Sequence, residues 1–307
     1  MKARRGFALL ASVWLMVAIA AVGLEVSWLA RTRRLTVANA LDHARARAAA
    51  TAGLEHARAR LAGALGPARG DALADPWRWA TGGDSADLDV AQYAFGMRDD
   101  AAAFDVNRVD EATLARLFQA CGAEAAEAVQ AAQRIADWRD PDSLRRAHGM
   151  ERDEYLALGA RVLPRDAPVQ AVAELADVAG LPAHAWTCVR PLLQVDGSGL
   201  VNPNTAPVEV LAALPGFTPV TARAVAQARQ AGGSVRSFPE LLAALPPALR
   251  RDVSRSSAEL QSLLVYQTSE VRVTSVARVR GSPVQVRAES LMRRNGGTVF
   301  VEWQEFR

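Results

Sequence analysis

The hydrophobic pattern changes character several times along the chain. Phe7 to Leu24 are eighteen residues without a charge or a proline, enough to cross the hydrocarbon core of a bilayer as a helix. Extension to Leu29 is interrupted only by Glu25. From Glu25 to Leu65 the chain is rich in Ala, Leu and Arg, and the first proline is Pro67, so helix propensity persists beyond the apolar run. Leu35, Ala38, Leu41, Ala48, Ala52 and Leu61 recur at spacings that hold one helical face. One helix from Phe7 to Leu65 measures about 88 Å at 1.5 Å per residue, too long to be a membrane span alone.

Beyond the helix, Gly66 to Asp89 carries Gly, Pro and Asp around Trp77 and Trp79 and reads as a connecting loop. Val90 to Met97 alternates, Arg98-Asp99-Asp100 reads as a turn, and Ala101 to Val106 as the second strand of a hairpin. Asn107 to about Leu264 shows almost only helical patterns. Alternation returns in Glu270–Arg280, Val284–Arg293 and Thr298–Phe306, separated by Gly281-Ser282-Pro283 and Asn295-Gly296-Gly297. This order predicts an α+β fold. A long N-terminal helix packs on a small antiparallel sheet, whose strands come from residues 66–106 and 265–307, and an all-α domain, 107–264, is inserted into that sheet.

The insert carries an internal echo. Asn107 followed by Leu114 and Leu117 aligns with Asn204 followed by Leu211 and Leu214, each reading as an Asn cap ahead of leucines on one helical face. A weaker copy runs from Glu174 to Leu181. In the second copy, Leu214-Pro215-Gly216-Phe217-Thr218 ahead of Ala222–Arg229 resembles a helix-hairpin-helix module, a type that often binds the DNA backbone. Such binding needs backbone N–H groups open to a phosphate, and Thr218 stands where the second Gly of that turn is usual. No dense basic cluster surrounds it, so helix packing is the favoured role and no nucleic acid is expected. A membrane-anchored periplasmic DNA-binding protein of a competence-type apparatus is the alternative.

Charge adds little. The formal net charge is +3, and Lys2, Arg4 and Arg5 ahead of the apolar run account for all of it, so the rest of the chain is near neutral and gives no pull toward polyanions. Arg31, Arg33 and Arg34 beyond the run match those three positive residues, which leaves orientation undecided by the positive-inside count. No catalytic signature occurs. Gly197-Ser198-Gly199 is not a nucleophile elbow, and His43, His56, His148 and His184 are scattered. The expectation is a protein that is not an enzyme. Cys121 and Cys188 both sit among helix-like apolar residues; a bridge and a pair of small buried hydrophobes are both open.

Asp137, Asp140 and Asp142, followed by Glu151 and Asp153, are the candidate metal ligands. Carboxylates gathered on a loop suit a hard cation such as calcium, although the spacing is not that of an EF-hand. The competing role for Asp140 and Asp142 is to cap a turn and the next helix, with Arg139, Arg145 and Arg146 balancing the charge.

The amino terminus carries a family resemblance. A short basic leader ending at Gly6, then Phe7 and an apolar helix continuing into an amphipathic one, resembles the type IV pilins and type II secretion pseudopilins. An ordinary signal peptide cleaved after Ala18-Ile19-Ala20 competes with this reading. The resemblance implies that a prepilin peptidase cuts between Gly6 and Phe7 and that Phe7 is then N-methylated. Most members carry Glu at the fifth mature position. Ala11 stands there, which is the mark of the minor pseudopilin K branch. The resemblance further implies an inner-membrane anchor with its leader in the cytoplasm and its bulk in the periplasm. Its partners would be the I-, J- and H-type minor pseudopilins, the major pseudopilin, the peptidase and membrane lipid, and its place the pseudopilus tip. It also implies calcium at Asp140, Asp142 and Glu151.

Overall fold

Helix α1, Ala3–Gly63, runs unbroken for 61 residues, about 90 Å at 1.5 Å per residue. The computed structural model describes residues 3–63, 82–231, 233–295 and 298–307, with side chains from Leu10 onward. Trp77, Trp79, Gly296 and Gly297 of the expected turns lie outside the described residues, as does most of the expected loop from Gly66. Every residue from Leu10 to Leu41 is exposed, Trp14 at 68% and Leu24 at 73%, although this part of the helix is apolar enough to cross a membrane. Water would not tolerate such a stripe, whereas lipid would.

The lower half of α1 buries a different face from the one expected. Ala46, Ala49, Ala50, Leu54, Ala57 and Leu61 are buried at the three-and-four spacing of one helical stripe. Of the expected face, Leu61 is buried and Ala52 half-buried, while Leu35, Ala38, Leu41 and Ala48 are exposed. In so alanine-rich a helix leucine position alone does not mark the contact; Ala46, Ala49, Ala50 and Ala57 share it with Leu54 and Leu61 and let the sheet come close. Gly53 shows how close. A Cβ there would lie 2.2 Å from Ser275 Oγ and 2.9 Å from the Tyr93 ring. Gly53→Val is therefore expected to lower stability by roughly 1–3 kcal/mol, the usual cost of overpacking, measurable by chemical denaturation of the detergent-solubilised protein; an unchanged midpoint would contradict the packing.

After α1 the described chain forms strands β1 (Gly82–Leu88) and β2 (Ala91–Asp99), then short β3 (Phe104–Asp105). Helices α2 (Glu111–Ala120), α3 (Ala125–Arg139), α4 (Arg152–Ala157) and α5 (Ala183–Val189) come next, followed by β4 (Leu193–Gln194). Five more helices follow: α6 (Val208–Ala213), α7 (Pro219–Gln230), α8 (Phe238–Ala244), α9 (Pro247–Arg255) and α10 (Ser257–Leu263). Strands β5 (Glu270–Val279), β6 (Gln285–Asn295) and β7 (Thr298–Phe306) close the chain. The main sheet is antiparallel throughout in the order β1-β2-β5-β6-β7. Tyr93, Phe95, Met97, Val271, Val273 and their neighbours face α1 in one core, and a second core fills the helical part from Phe104 to Leu264.

Two expectations about the first strands are corrected. Gly82 to Leu88 is an edge strand rather than loop, closed onto β2 by a tight turn in which Asp89 takes φ 43°. Ala101–Val106 does not pair back on β2; it leads away into the helices, and β2 pairs instead with β5. The supposed turn residues Asp99 and Asp100 are buried, each 1% exposed. Asp99 Oδ2 accepts from Asn202 Nδ2 (2.8 Å), Thr205 Oγ1 (2.7 Å) and Thr268 Oγ1 (2.8 Å), so the Asn202–Thr205 segment locks the helical part onto the end of β2. Asp100 is held by Arg272 of β5 at 3.0 Å.

The echoed asparagines are not caps. Asp110 caps α2, and Pro207 occupies the cap position of α6. Asn107 instead pairs its amide with both backbone groups of Val169, donating to the carbonyl at 2.9 Å and accepting from the N–H at 2.8 Å. Asn204 does the same to Val235, at 2.8 and 2.9 Å. Each amide imitates one rung of a β-ladder and satisfies loop backbone that would otherwise be buried unpaired. The echo extends to the helices: α2 packs against α6, Arg116 Nε donates to the Ala213 carbonyl at 2.7 Å, and each helix turns into its successor at a left-handed glycine, Gly122 (φ 92°) and Gly216 (φ 70°).

Candidate functional site

The acidic cluster is assembled by the end of α3 and the start of α4. Asp140 precedes Pro141, which disfavours helical backbone, and α3 stops there with Asp140 extended at ψ 158°. The chain then returns as α4, pinned by Tyr155, fully buried, whose ring meets that of Trp138 edge-on with centroids 5.3 Å apart. That contact brings Glu151, at the cap of α4, back to the loop. Asp140, Asp142 and Glu151 thereby present ligand oxygens within 4.8 Å of one another.

Arg146 pre-organises one side of the cluster. Its Nη1 donates to Asp137 Oδ1 at 2.6 Å and to Asp140 Oδ2 at 2.5 Å, and its backbone N–H reaches Asp137 Oδ2 at 3.3 Å. Gly149 presses so near the Asp137 carboxylate that no side chain fits there. Asp137 is thus committed to Arg146 and lies outside the convergent set. Asp153, on the exposed side of α4, is not part of it either. Asp142 does make the expected turn bond, accepting from the Leu144 N–H at 2.8 Å through Oδ1. Asp140 Oδ1 and Glu151 Oε1, by contrast, are buried and accept from no protein donor. Burial, then the neighbouring Asp137 and Asp140 charges, push the Glu151 carboxyl up to about 7.

Two orphaned carboxylate oxygens beside a third, more exposed carboxylate are what a hard cation would satisfy. The residues fit calcium in kind. Asp140, Asp142 and Glu151 would hold it, and a bound ion would neutralise their mutual repulsion and tie α3 to α4.

The turn of the second candidate, the α6–α7 hairpin, is packed within the helical part. A Cβ at Gly216 would lie 2.6 Å from the Asp252 carbonyl oxygen of α9, so that turn faces a helix rather than solvent. Thr218 caps α7 by accepting from the Thr221 N–H at 3.2 Å. Arg229 donates to the Ala206 carbonyl at 2.6 Å with its charge disfavoured by burial, and Arg223 donates to the Pro219 carbonyl of its own helix. The DNA-binding alternative loses its turn and the Arg229 cation.

Cys121, at the end of α2, and Cys188, in the last turn of α5, are joined in a disulfide across a separation of 67 residues. At the amino terminus, Gly6 and Phe7 lie within the backbone of α1, their side chains outside the described residues, and Ala11 is exposed on the helix surface.

Comparison with known proteins places this architecture. Two models described as type II secretion system (T2SS), protein K match residues 94–196 and 201–261, together more than half of the chain. The chain belongs to the type II secretion system protein K family, whose members are structural pseudopilins. Type II secretion system protein K of Klebsiella pneumoniae is 30% identical over 195 residues, 61% of this chain and 57% of that protein, so the match spans little more than half of the relative's length. A chain in the crystal structure of the GspK-GspI-GspJ complex from the enterotoxigenic Escherichia coli type 2 secretion system shares the fold. Its TM-score is 0.64 at 20% identity, covering 91% of this chain and 99% of that one.

Proposed function

We propose that this protein is a minor pseudopilin that caps the tip of a type II secretion pseudopilus and helps to initiate its assembly, and that it is not an enzyme. The observation that carries the reading is the pairing of a fully exposed apolar helix half with a large helical insertion between β2 and β5. The helix needs lipid or sister helices along its length, whereas the insertion leaves no room for identical copies stacked above. Ala11 fits the same role. A carboxylate there would meet the amino terminus of a neighbour, and a subunit with nothing above it loses little by omitting the group. The insert, 107–264, is read as paired helix-hairpin-helix repeats used for packing, with Asp140, Asp142 and Glu151 as its calcium site.

The E. coli chain of like fold is in a complex with GspI and GspJ, which supports seeking I- and J-type minor pseudopilins as partners, along with the H-type, the major pseudopilin and the prepilin peptidase. The protein sits in the inner membrane as a single-pass anchor, leader in the cytoplasm and bulk in the periplasm. Mass spectrometry of the membrane-extracted protein should find a mature amino terminus at methylated Phe7; a start near Ala21 would indicate ordinary signal cleavage and remove the assembly role. Site-specific cross-linking from Leu35 and Leu41 should trap smaller minor pseudopilins at one copy each. Regular self-cross-linking along a filament would overturn the tip position.

A further inference from the structure

A cleft of about 780 Å³ lies on the face of the sheet turned away from α1, where the loop and helix around α5 overhang it. Register places Arg98, Arg272, Leu291 and Trp303 in one row across β2, β5, β6 and β7, and Gly96, Thr274, Glu289 and Glu305 in the next. The overhang supplies Arg190. Most charges on this floor are already used: Arg272 holds Asp100, Arg287 holds Glu289, and Arg307 holds Glu305. Arg98 and Arg190 are different. Arg98 spends its donors on the Pro191 carbonyl and on Gln194 Oε1, both at 2.9 Å and both neutral. It lines the cleft together with Arg190 and makes no salt bridge there; burial, then the adjacent Arg272, disfavour its charge, and Asp100, Glu289 and Asp99 offset only part of that. At the other end of the row the Trp303 indole Nε1–H is buried without an acceptor, under the Arg272 guanidinium 5.1 Å from the ring.

Arginines without a salt bridge at one end and an orphaned indole donor at the other call for a ligand bearing negatively charged hydrogen-bond acceptors. Four strands at about 4.8 Å apart make the row roughly 14 Å long, the span of about four residues of extended chain. We propose that this cleft binds an extended acidic peptide segment of a partner protein, its carboxylates on Arg98 and Arg190 and on the Trp303 N–H. Nothing in the tip role requires it, and the two stand or fall separately.

The test uses the full-length protein in non-ionic detergent and a fluorescein-labelled hexaglutamate peptide with blocked ends, read by fluorescence anisotropy. Saturable binding is expected, weakened at least about tenfold by Arg190→Glu and severalfold by Trp303→Phe, and unchanged by Arg251→Glu, an exposed arginine on α9. A hexalysine peptide should not bind. Absence of saturable binding, an equal loss with Arg251→Glu, or tighter binding of a single-stranded oligonucleotide of the same charge would each overturn the proposal.

Discussion

Reducing the Cys121–Cys188 bridge, or replacing both cysteines by serine, is expected to destabilise the helical part by about 4 kcal/mol on the chain-entropy estimate for a loop of this length. The bridge closes a loop of 67 residues, and that loop contains α3, the acidic cluster and α4. Opening it releases the end of α2 from α5 and frees the unfolded chain at the same time. For a part of this size the loss corresponds to a thermal transition lower by roughly 10 °C. Differential scanning calorimetry with and without reductant measures it directly, and a shift below about 2 °C would mean that native packing alone holds the ends together. The bond also constrains where the protein folds, because such bridges persist in oxidising compartments. A variant expressed in a reducing cytosol should behave as the reduced form does.

What the sequence made legible follows from which signals are local. The apolar run to Leu24 and the strands from Glu270 onward announce themselves by composition and alternation within a few residues. β1 does not, because Gly-Gly-Asp-Ser-Ala-Asp-Leu is an edge strand in which none of residues 83–88 is buried, and a strand that packs little carries little pattern. Asp99 and Asp100 look like a turn since two adjacent carboxylates usually mean solvent. Their burial is set by Asn202, Thr205, Thr268 and Arg272, all more than a hundred residues away. The cysteine pairing is equally non-local. In the acidic cluster the sequence offered five carboxylates, Asp137, Asp140, Asp142, Glu151 and Asp153, and only the family resemblance singled out Asp140, Asp142 and Glu151; the exclusion of Asp153 depends on Tyr155 facing inward from the next turn of α4. The commitment of Asp137 depends on Arg146 and on the bare backbone at Gly149. The backbone-mimicking use of Asn107 and Asn204 was visible only as a repeat, since an asparagine ahead of a helix reads as a cap by default.

Replacing Glu151 with Gln is expected to weaken calcium binding about 100-fold or more, because it removes one of three converging charged oxygens. The same substitution separates the metal from the fold. In the metal-free protein the Glu151 carboxyl stands at about 7 against an ordinary 4.5. It is raised by burial and faced by Asp137, Asp140, Asp142 and Asp166, with Arg146 drawn toward the first two. The folded state therefore binds a proton there that the unfolded state has lost, and stability contributed by this group is present below pH 4.5 and declines as pH rises to about 7. A calcium ion needs the carboxylate, so binding in that window must expel the proton. Apparent affinity should rise by up to about tenfold per pH unit through the window and level off above it. Glu151→Gln should flatten the pH dependence of metal-free stability between 5 and 7, leave the metal-free protein at least as stable at pH 7.5, and lose the stabilisation that saturating calcium gives the wild type, about 2.7 kcal/mol at a hundredfold excess over Kd. Isothermal titration at pH 5.5, 6.5 and 7.5, paired with calorimetry with and without calcium, reads all of these. A calcium affinity indifferent to both pH and the substitution would move the ion away from Glu151 and leave the orphaned oxygens of Asp140 and Glu151 to be satisfied by water.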